Sequence, residues 1–346
     1  MSLILAIDTS CDDTSAAIVK DGREYLSNIV SSQNQIHEKY GGIVPELASR
    51  RHMEIIWQVT SEALSQGSCI LPDLSAIAVC KGPGLIGSLI VGCQFAKAIA
   101  YSIHLPLIAV NHLEGHIFSA FLLKRRPEFP FLALVVSGGH TSLYRIDGFL
   151  RYIEIGRTRD DAAGEAYDKV AKMLGLGFPG GPIIDLMAKT GNSSAINFPR
   201  GLWNDTLDFS FSGLKTAVKN YISNAGQITN LEDICASFQK AVIDVLIEKT
   251  KQALNQQGLK RLVIAGGVAA NSTLCRDFTA LSQEEGIELF IPPVELCTDN
   301  AAMIGAAGHL YYENKMFSPF DINPEAYLPI GRAKLVKSEK LIVKNI

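Results

Sequence analysis

The sequence predicts an α/β protein whose β-sheet core is duplicated and covered by helices, and three observations carry that prediction. Apolar, β-branched runs ending in small or polar turn residues occur at 3–19 (LILAIDTSCDDTSAAIV), 131–146 (FLALVVSGGHTSLYRI) and 261–274 (RLVIAGGVAANSTL). The first two continue past their turns into a second alternating run, so each reads as strand, tight turn, strand, and the pattern occurs twice in the chain. Long helical stretches separate these runs, the alternation expected of sheets covered by helices.

The elements follow in order. After the first strand pair, 44–66 reads as a helix with Pro45 near its start, and 74–80 (LSAIAVC) and 105–111 (LPLIAVN) read as strands around a helix over 87–103. KRRPEFP at 124–130 is the clearest punctuation, its basic and proline residues dividing the first strand–helix set from the second. Helices are expected at 161–175, 181–190, 213–224 and 231–257.

The chain has 346 residues, 47% of them hydrophobic, enough for two ordinary cores. A formal charge of −3 gives no global field that would announce nucleic acid, so any RNA contact must be local or shared with partners. Seven scattered cysteines with no C-x-x-C pair argue against a disulfide scaffold or zinc ribbon and for a reducing compartment. The N-terminus lacks a basic region and meets carboxylates at once, unlike a signal peptide. Gln94 and Lys97 inside the apolar stretch 85–103 make it a buried helix rather than a membrane span.

Three groups of residues bear chemistry. NHLEGH at 111–116 sets His112 and His116 four apart, on one helical face, a spacing that serves a shared metal and equally a pair of plain polar positions. A zincin protease needs glutamate directly after the first histidine, and Glu114 is two residues on. A kinase on such a fold would have no use for the histidine pair. Asp299, where Asp-Asn opens an Ala/Gly-rich helix, is the candidate third ligand, with helix capping the competing role.

The small-residue turns DTSCDDT (8–14), VVSGGHT (135–141), PGGP (179–182) and AGGVAAN (265–271) can present backbone N–H groups to anionic oxygens. Gly82 to Gly87 satisfies G-x-G-x-x-G, but the acid expected after the next strand is missing, so these glycines read as a close packing turn. Asp161, Glu165 and Asp168 recur on one face of DDAAGEAYDK, as a solvated stripe or, through a ribose diol, a ligand contact. Asp12 and Asp13 are the acid/base candidates.

These motifs, with YGGIVPELASRRH (40–52), GFPGGP (177–182), FSFSGLKTA (209–217) and CTDNAAMIG (297–305), resemble the TsaD family across nearly the whole chain. The resemblance implies an actin/sugar-kinase/heat-shock-ATPase-like fold in two lobes. Residues 1–120, completed by 321–346, would form the first and 121–320 the second, with the active site in the cleft between them. It implies a cytoplasmic tRNA N6-adenosine threonylcarbamoyltransferase, moving the threonylcarbamoyl group of threonylcarbamoyl-AMP to the adenosine 3′-adjacent to the anticodon in tRNAs reading A-starting codons.

By the same resemblance one divalent metal, iron with zinc as the alternative, is held by His112, His116 and Asp299, and Mg2+ can accompany a nucleotide. Substrate contacts are implied at Val135, Val136, Ser137, Gly138, Gly139, Asp168, Gly181, Asp185 and Asn271. The implied partners are tRNA, a TsaB-like paralogue docking through a helical interface for which 40–52 is the candidate, and a TsaE-like P-loop ATPase. A non-catalytic paralogue would lack the metal motif, which this chain retains. Lys124, Arg125, Arg126 and a tail with Arg332, Lys334, Lys337, Lys340 and Lys344 against Glu339 could meet phosphates.

Overall fold

A computed structural model describes residues 1–203, 206–224, 230–331 and 336–337. Arg332, Lys334, Glu339, Lys340 and Lys344 of the basic tail lie outside them, and Lys337 is described as backbone alone.

The chain begins with β1 (Leu3–Asp8), β2 (Thr14–Lys20), β3 (Glu24–Ser31), a short α1 (Asn34–His37) and α2 (Pro45–Gln66). It continues through β4 (Ala76–Gly82), α3 (Ile86–Ser102), β5 (Leu107–Asn111) and α4 (His112–Phe118). Next come β6 (Phe131–Val136), β7 (Thr141–Gly148), β8 (Arg151–Arg157), α5 (Ala163–Met173), α6 (Gly180–Ala188), α7 (Ser212–Asn224) and α8 (Leu231–Gln257). The last elements are β9 (Arg261–Ala265), α9 (Ser272–Glu285), β10 (Glu288–Phe290), α10 (Val294–Cys297), α11 (Ala301–Glu313), β11 (Met316–Phe317) and β12 (Val336–Lys337).

Two compact units result. The first takes 1–36, 43–126 and 299–346, and the second 37–42 and 127–298. The chain changes unit inside KRRPEFP, and it returns to the first unit at Asp299, whereas the sequence reading put the return at 321. The reason is packing. Helix α11 lies on β1 and β2, where Gly305 meets Val19 and Ala6 and Gly308 meets Ala78 so closely that an added Cβ would come within 2.4 and 2.8 Å of Val19 and Ala78.

Each unit holds a five-stranded sheet, ordered β3-β2-β1-β4-β5 in the first and β10-β9-β6-β7-β8 in the second. In the first, β1 pairs antiparallel with β2 and parallel with β4. In the second, β6 pairs antiparallel with β7 and parallel with β9. The two sheets share one topology, the duplication that the repeated strand–turn–strand pattern predicts. The central strands are buried along their full length, so they read as unbroken apolar runs rather than as alternation.

In the first unit α2 and α3 cover the sheet through Ile55, Ile56, Val59, Leu89, Cys93 and Ile99. In the second, Phe209, Phe211, Phe238 and Phe278 fill the core against Leu132, Leu134 and Ile264. Burying one such side chain contributes about 1.5–3 kcal/mol, so each unit has ample apolar surface to hold its sheet. The seven cysteines are unpaired, and no helix among the described residues is long and apolar enough to cross a membrane.

Candidate metal centre and the glycine turns

NHLEGH places its histidines through its other residues. Asn111 caps α4, its Oδ1 accepting from Leu113 N at 2.8 Å while its Nδ2 donates to the Leu328 carbonyl at 2.9 Å. His112 and His116 then lie one turn apart, ring centroids separated by 4.7 Å and planes at 78°. Gly115 lets α11 close in, since a Cβ there would sit 2.9 Å from Ile304 Cδ1. Glu114 is wholly buried and its Oε2 accepts from the Tyr311 hydroxyl at 2.6 Å, tying α4 to α11. This glutamate is a strut, turned away from the histidines, and it has no place as the base of a protease.

The close approach of α11 delivers Asp299. The cap of that helix is Asn300, whose Oδ1 accepts from Met303 N at 3.0 Å, so capping does not occupy Asp299. Its Oδ1 lies 3.4 Å from His112 Nε2 and 3.3 Å from His116 Nε2. One donor atom from each of the three residues falls within 4.8 Å of the others.

The residues present fit a divalent metal. His116 is fully buried, yet among the described residues neither ring nitrogen makes a hydrogen bond, a deficit worth about 1–3 kcal/mol for each buried group left unpaired. Two imidazoles and one carboxylate are a donor set suited to Zn2+ or non-haem Fe2+. Burial lowers the His116 pKa and keeps the ring neutral, as a ligand must be. For His112 burial also opposes charge, but the nearby Asp299 carboxylate outweighs it and raises its pKa. The two histidines in turn hold the Asp299 carboxyl below the usual carboxylate range against its own burial.

The DTSCDDT turn lies beside this centre. His52 of α2 anchors it, with Nδ1 2.7 Å from Thr14 Oγ1 and Nε2 3.0 Å from the Cys11 carbonyl. Burial, with the charges of Asp12 and Asp299, pushes the Asp13 carboxyl up to about 7. The glycines at 82–87 pack under the turn: Leu85 N donates to Ser10 O at 2.8 Å, and a Cβ on Gly84 would come within 2.3 Å of the same oxygen. They are the packing turn the sequence predicts.

In the second unit Val135 and Val136 are fully buried strand residues, with the turn Ser137–Gly139 directly after them. Asp185 and Asn271 meet through Gln239, which sequence reasoning missed. Its Nε2 donates to Asp185 Oδ1 at 3.1 Å, and its Oε1 accepts from Asn271 Nδ2 at 2.7 Å. Asp185 Oδ2 also accepts from Ser272 N at 3.1 Å, and Asn271 caps α9. Asp168 Oδ1 accepts from Gly180 N at 2.8 Å, next to Gly181. A mid-helix glutamine carries no pattern that would reveal such a hub.

The acidic face expected at 161, 165 and 168 is divided. Helix α5 starts only at Ala163, so Asp161 precedes it and pairs with Lys169 and Lys215 at 2.8 and 2.7 Å. Glu165 pairs with Lys169 at 2.7 Å, which leaves Asp168 as the member placed by the Gly180–Gly181 turn.

Gly138, Gly139, Gly181 and Gly267 share a feature: a Cβ on any of them would meet nothing within 4 Å, and none has a positive φ. Neither packing nor backbone conformation requires glycine there. Open space above bare backbone is what close approach of a ligand needs.

Sheets of this topology, a buried group of two histidines and one carboxylate that could hold a metal, and open glycine turns define a two-unit α/β protein with a candidate metal centre. Two solved structures share the fold. Component A of the (R)-2-hydroxyglutaryl-CoA dehydratase of Acidaminococcus fermentans aligns with 90% of this chain and 97% of its own, at a TM-score of 0.53 and 17% identity. HypF of T. kodakarensis aligns with 90% of this chain and 48% of its own, at 0.63 and 14%.

The family model for TsaD, tRNA N6-adenosine threonylcarbamoyltransferase, matches residues 24–306, and the chain belongs to that family. The proteins of that name from Thermodesulfovibrio yellowstonii and Syntrophotalea carbinolica are 57% and 51% identical to it. The alignments cover 95% and 96% of this chain and 100% and 98% of the relatives. The chain is a transferase of tRNA modification.

Proposed function

We propose that this chain transfers the threonylcarbamoyl group of threonylcarbamoyl-AMP to N6 of the adenosine 3′-adjacent to the anticodon in tRNAs reading A-starting codons. The observation that carries this reading is His116, wholly buried with both ring nitrogens unpaired and facing Asp299 beside His112. Bound there, a divalent metal, iron before zinc, would supply Lewis acidity toward the carbamoyl carbonyl.

The protein's own residues do the rest. The open backbone at Gly138, Gly139 and Gly181 receives the adenylate, and Asp168, Asp185 and Asn271 hold its polar groups. Burial around the centre keeps water from an activated donor. As N6 attacks the carbamoyl carbon, a C–N bond forms, the C–O bond to the AMP phosphate breaks, and a proton leaves N6. Asp13, with a pKa near 7, is a better acceptor for it than an ordinary carboxylate.

The direct test combines the purified protein and its partners with threonylcarbamoyl-AMP and unmodified tRNA, and looks for threonylcarbamoyladenosine in the digest by mass spectrometry. Product that disappears when Asp299 is changed to alanine is the expected result. Product formed equally well by that variant would overturn the reading. Gly139→Val is expected to raise KM for the donor about tenfold, 1.4 kcal/mol, while leaving the unfolding midpoint nearly unchanged, because the new side chain projects into open space.

For the TsaB-like partner we assign the α2–α3 face. Within 40–52, Ala48 and His52 are buried while Tyr40, Pro45, Glu46 and Arg50 are exposed. One turn further, Met53 and Trp57 are 64% and 58% exposed, and Ile86 and Ile90 of α3 are 48% and 45% exposed. Trp57→Asp is expected to weaken association with the partner about 100-fold in calorimetry without altering the isolated chain's circular dichroism. The reading places the protein in the cytoplasm, with a TsaE-like ATPase as a further partner.

A further inference from the structure

His112 belongs to two clusters. Its Nε2 faces Asp299 at 3.4 Å, on the side of His116. Its Nδ1 faces inward, 3.1 Å from Ser10 Oγ and 3.4 Å from Asp8 Oδ2. Asp8, Cys80 and His112 form a second set of donor atoms within 4.8 Å of one another, all buried. Asp8 is 1% exposed. Its Oδ1 accepts from Ser10 N at 2.9 Å, whereas Oδ2 has no hydrogen bond within ordinary limits among the described residues. His112 Nδ1 lies 3.4 Å from that oxygen.

We infer that Asp8 is a positioning residue of the metal centre, accepting from His112 Nδ1–H, with Ser10 Oγ, so that the lone pair of Nε2 is left for the metal. The inference rests on the metal reading above. An imidazole that donates through one nitrogen must present a lone pair at the other, and the partner of the donating nitrogen decides which tautomer exists. The inner cluster is therefore an orienting group rather than a second metal site. Ser10 Oγ already stands 3.1 Å from the nitrogen that a second ion would need.

Asp8→Asn tests this sharply. An asparagine can keep the bond from Ser10 N, but an amide NH2 in place of Oδ2 donates to Nδ1. It thereby favours the tautomer with its proton on Nε2, which cannot ligate. Asp8→Ala removes the acceptor without imposing the wrong tautomer. A purely structural Asp8 would make alanine the worse variant, because asparagine conserves shape; a tautomer-setting Asp8 makes asparagine at least as damaging as alanine.

Affinity and stoichiometry are read by titrating the full-length protein with Zn2+ against a chromophoric chelator, with Co2+ absorption as an independent report on the ligand set. The expected result is one ion per chain, bound about 10–100-fold more weakly in Asp8→Asn, with Cys80→Ala unchanged. Melting curves identify any variant that has lost its fold, and Ser10→Ala, expected to weaken binding by a smaller factor, then tests the same Nδ1 contact. Wild-type affinity in Asp8→Asn, or greater damage from alanine than from asparagine, would overturn the inference and leave the metal reading standing. Two ions in the wild type, falling to one in Cys80→Ala, would overturn it in favour of a second metal. No ion bound by the wild type would remove the metal reading and the inference together.

Discussion

Replacing His116 with alanine is expected to abolish metal binding and threonylcarbamoyl transfer together, with activity falling about 1000-fold or more. The ring is the most committed of the three candidate ligands. It is fully buried, kept neutral by that burial, and among the described residues neither nitrogen makes a well-formed hydrogen bond. A side chain present only for packing would be better replaced by a phenylalanine of similar shape, with no unpaired nitrogens to bury. His116→Phe should therefore keep or raise the melting temperature of the metal-free protein while being as inactive as His116→Ala. Elemental analysis after dialysis and product mass spectrometry provide the measurements. Chelation of the wild type should reproduce the loss, lower its melting temperature toward that of the variants, and be reversed by metal, because an ion that binds only the folded state stabilises it by mass action. Retention of stoichiometric metal by His116→Ala would remove this histidine from the centre.

The second large effect is expected on stability, from two adjacent glycines that sequence alone treats alike. Gly266 has φ 97° and ψ 162°, a region essentially restricted to glycine. A Cβ on it would also lie 2.4 Å from the Val136 carbonyl oxygen, a backbone atom at the end of β6 that cannot yield without moving the strand. Gly266→Ala is therefore expected to cost about 3 kcal/mol or more. Gly267 has no positive φ and nothing within 4 Å of a Cβ. Gly267→Ala should change stability by about 0.5 kcal/mol or less and act, if anywhere, on KM for the donor. Chemical unfolding of the two variants decides the matter, and equal destabilisation would show that the role of Gly266 has been misread.

Much of this architecture was legible in the chain because its signals are local. The strand–turn–strand runs at 3–19 and 131–146, Pro45 at the start of α2 and the apolar periodicity of 231–257 each specify an element through its own residues. Apolar runs separated by turns also revealed the duplication, and KRRPEFP marked the passage between the units. Less local features were misplaced. The apolar pattern places position 161 in a helix that begins at Ala163, and nothing near Asp299 announces that α11 packs on β1 and β2, so the sequence sets the return to the first unit at 321 rather than 299. Within 40–52, the candidate partner contact, His52 points inward and holds the turn at Cys11 and Thr14, while Pro45, Glu46 and Arg50 are exposed.

Within the candidate site the same division holds. NHLEGH announces its histidines by their spacing, since two residues four apart share a helical face wherever the helix lies. Asp299 could only be guessed, because helix capping accounts equally well for an Asp-Asn pair before an apolar helix. What gives the cap to Asn300 and frees Asp299 is the contact of α11 with α4, through Gly115 and the Glu114–Tyr311 hydrogen bond. Asp8 facing His112 is 104 residues away from it in sequence, and Gln239 joining Asp185 to Asn271 lies 54 residues from one and 32 from the other. Such pairs leave no periodic trace in the chain. The sequence by itself determined which residues could ligate and where bare backbone occurs, because these follow from side-chain chemistry and helical spacing. Which ring nitrogen faces Asp299, which carboxylate joins the two histidines and which glycines have open space above them were decided only when packed elements brought distant residues together.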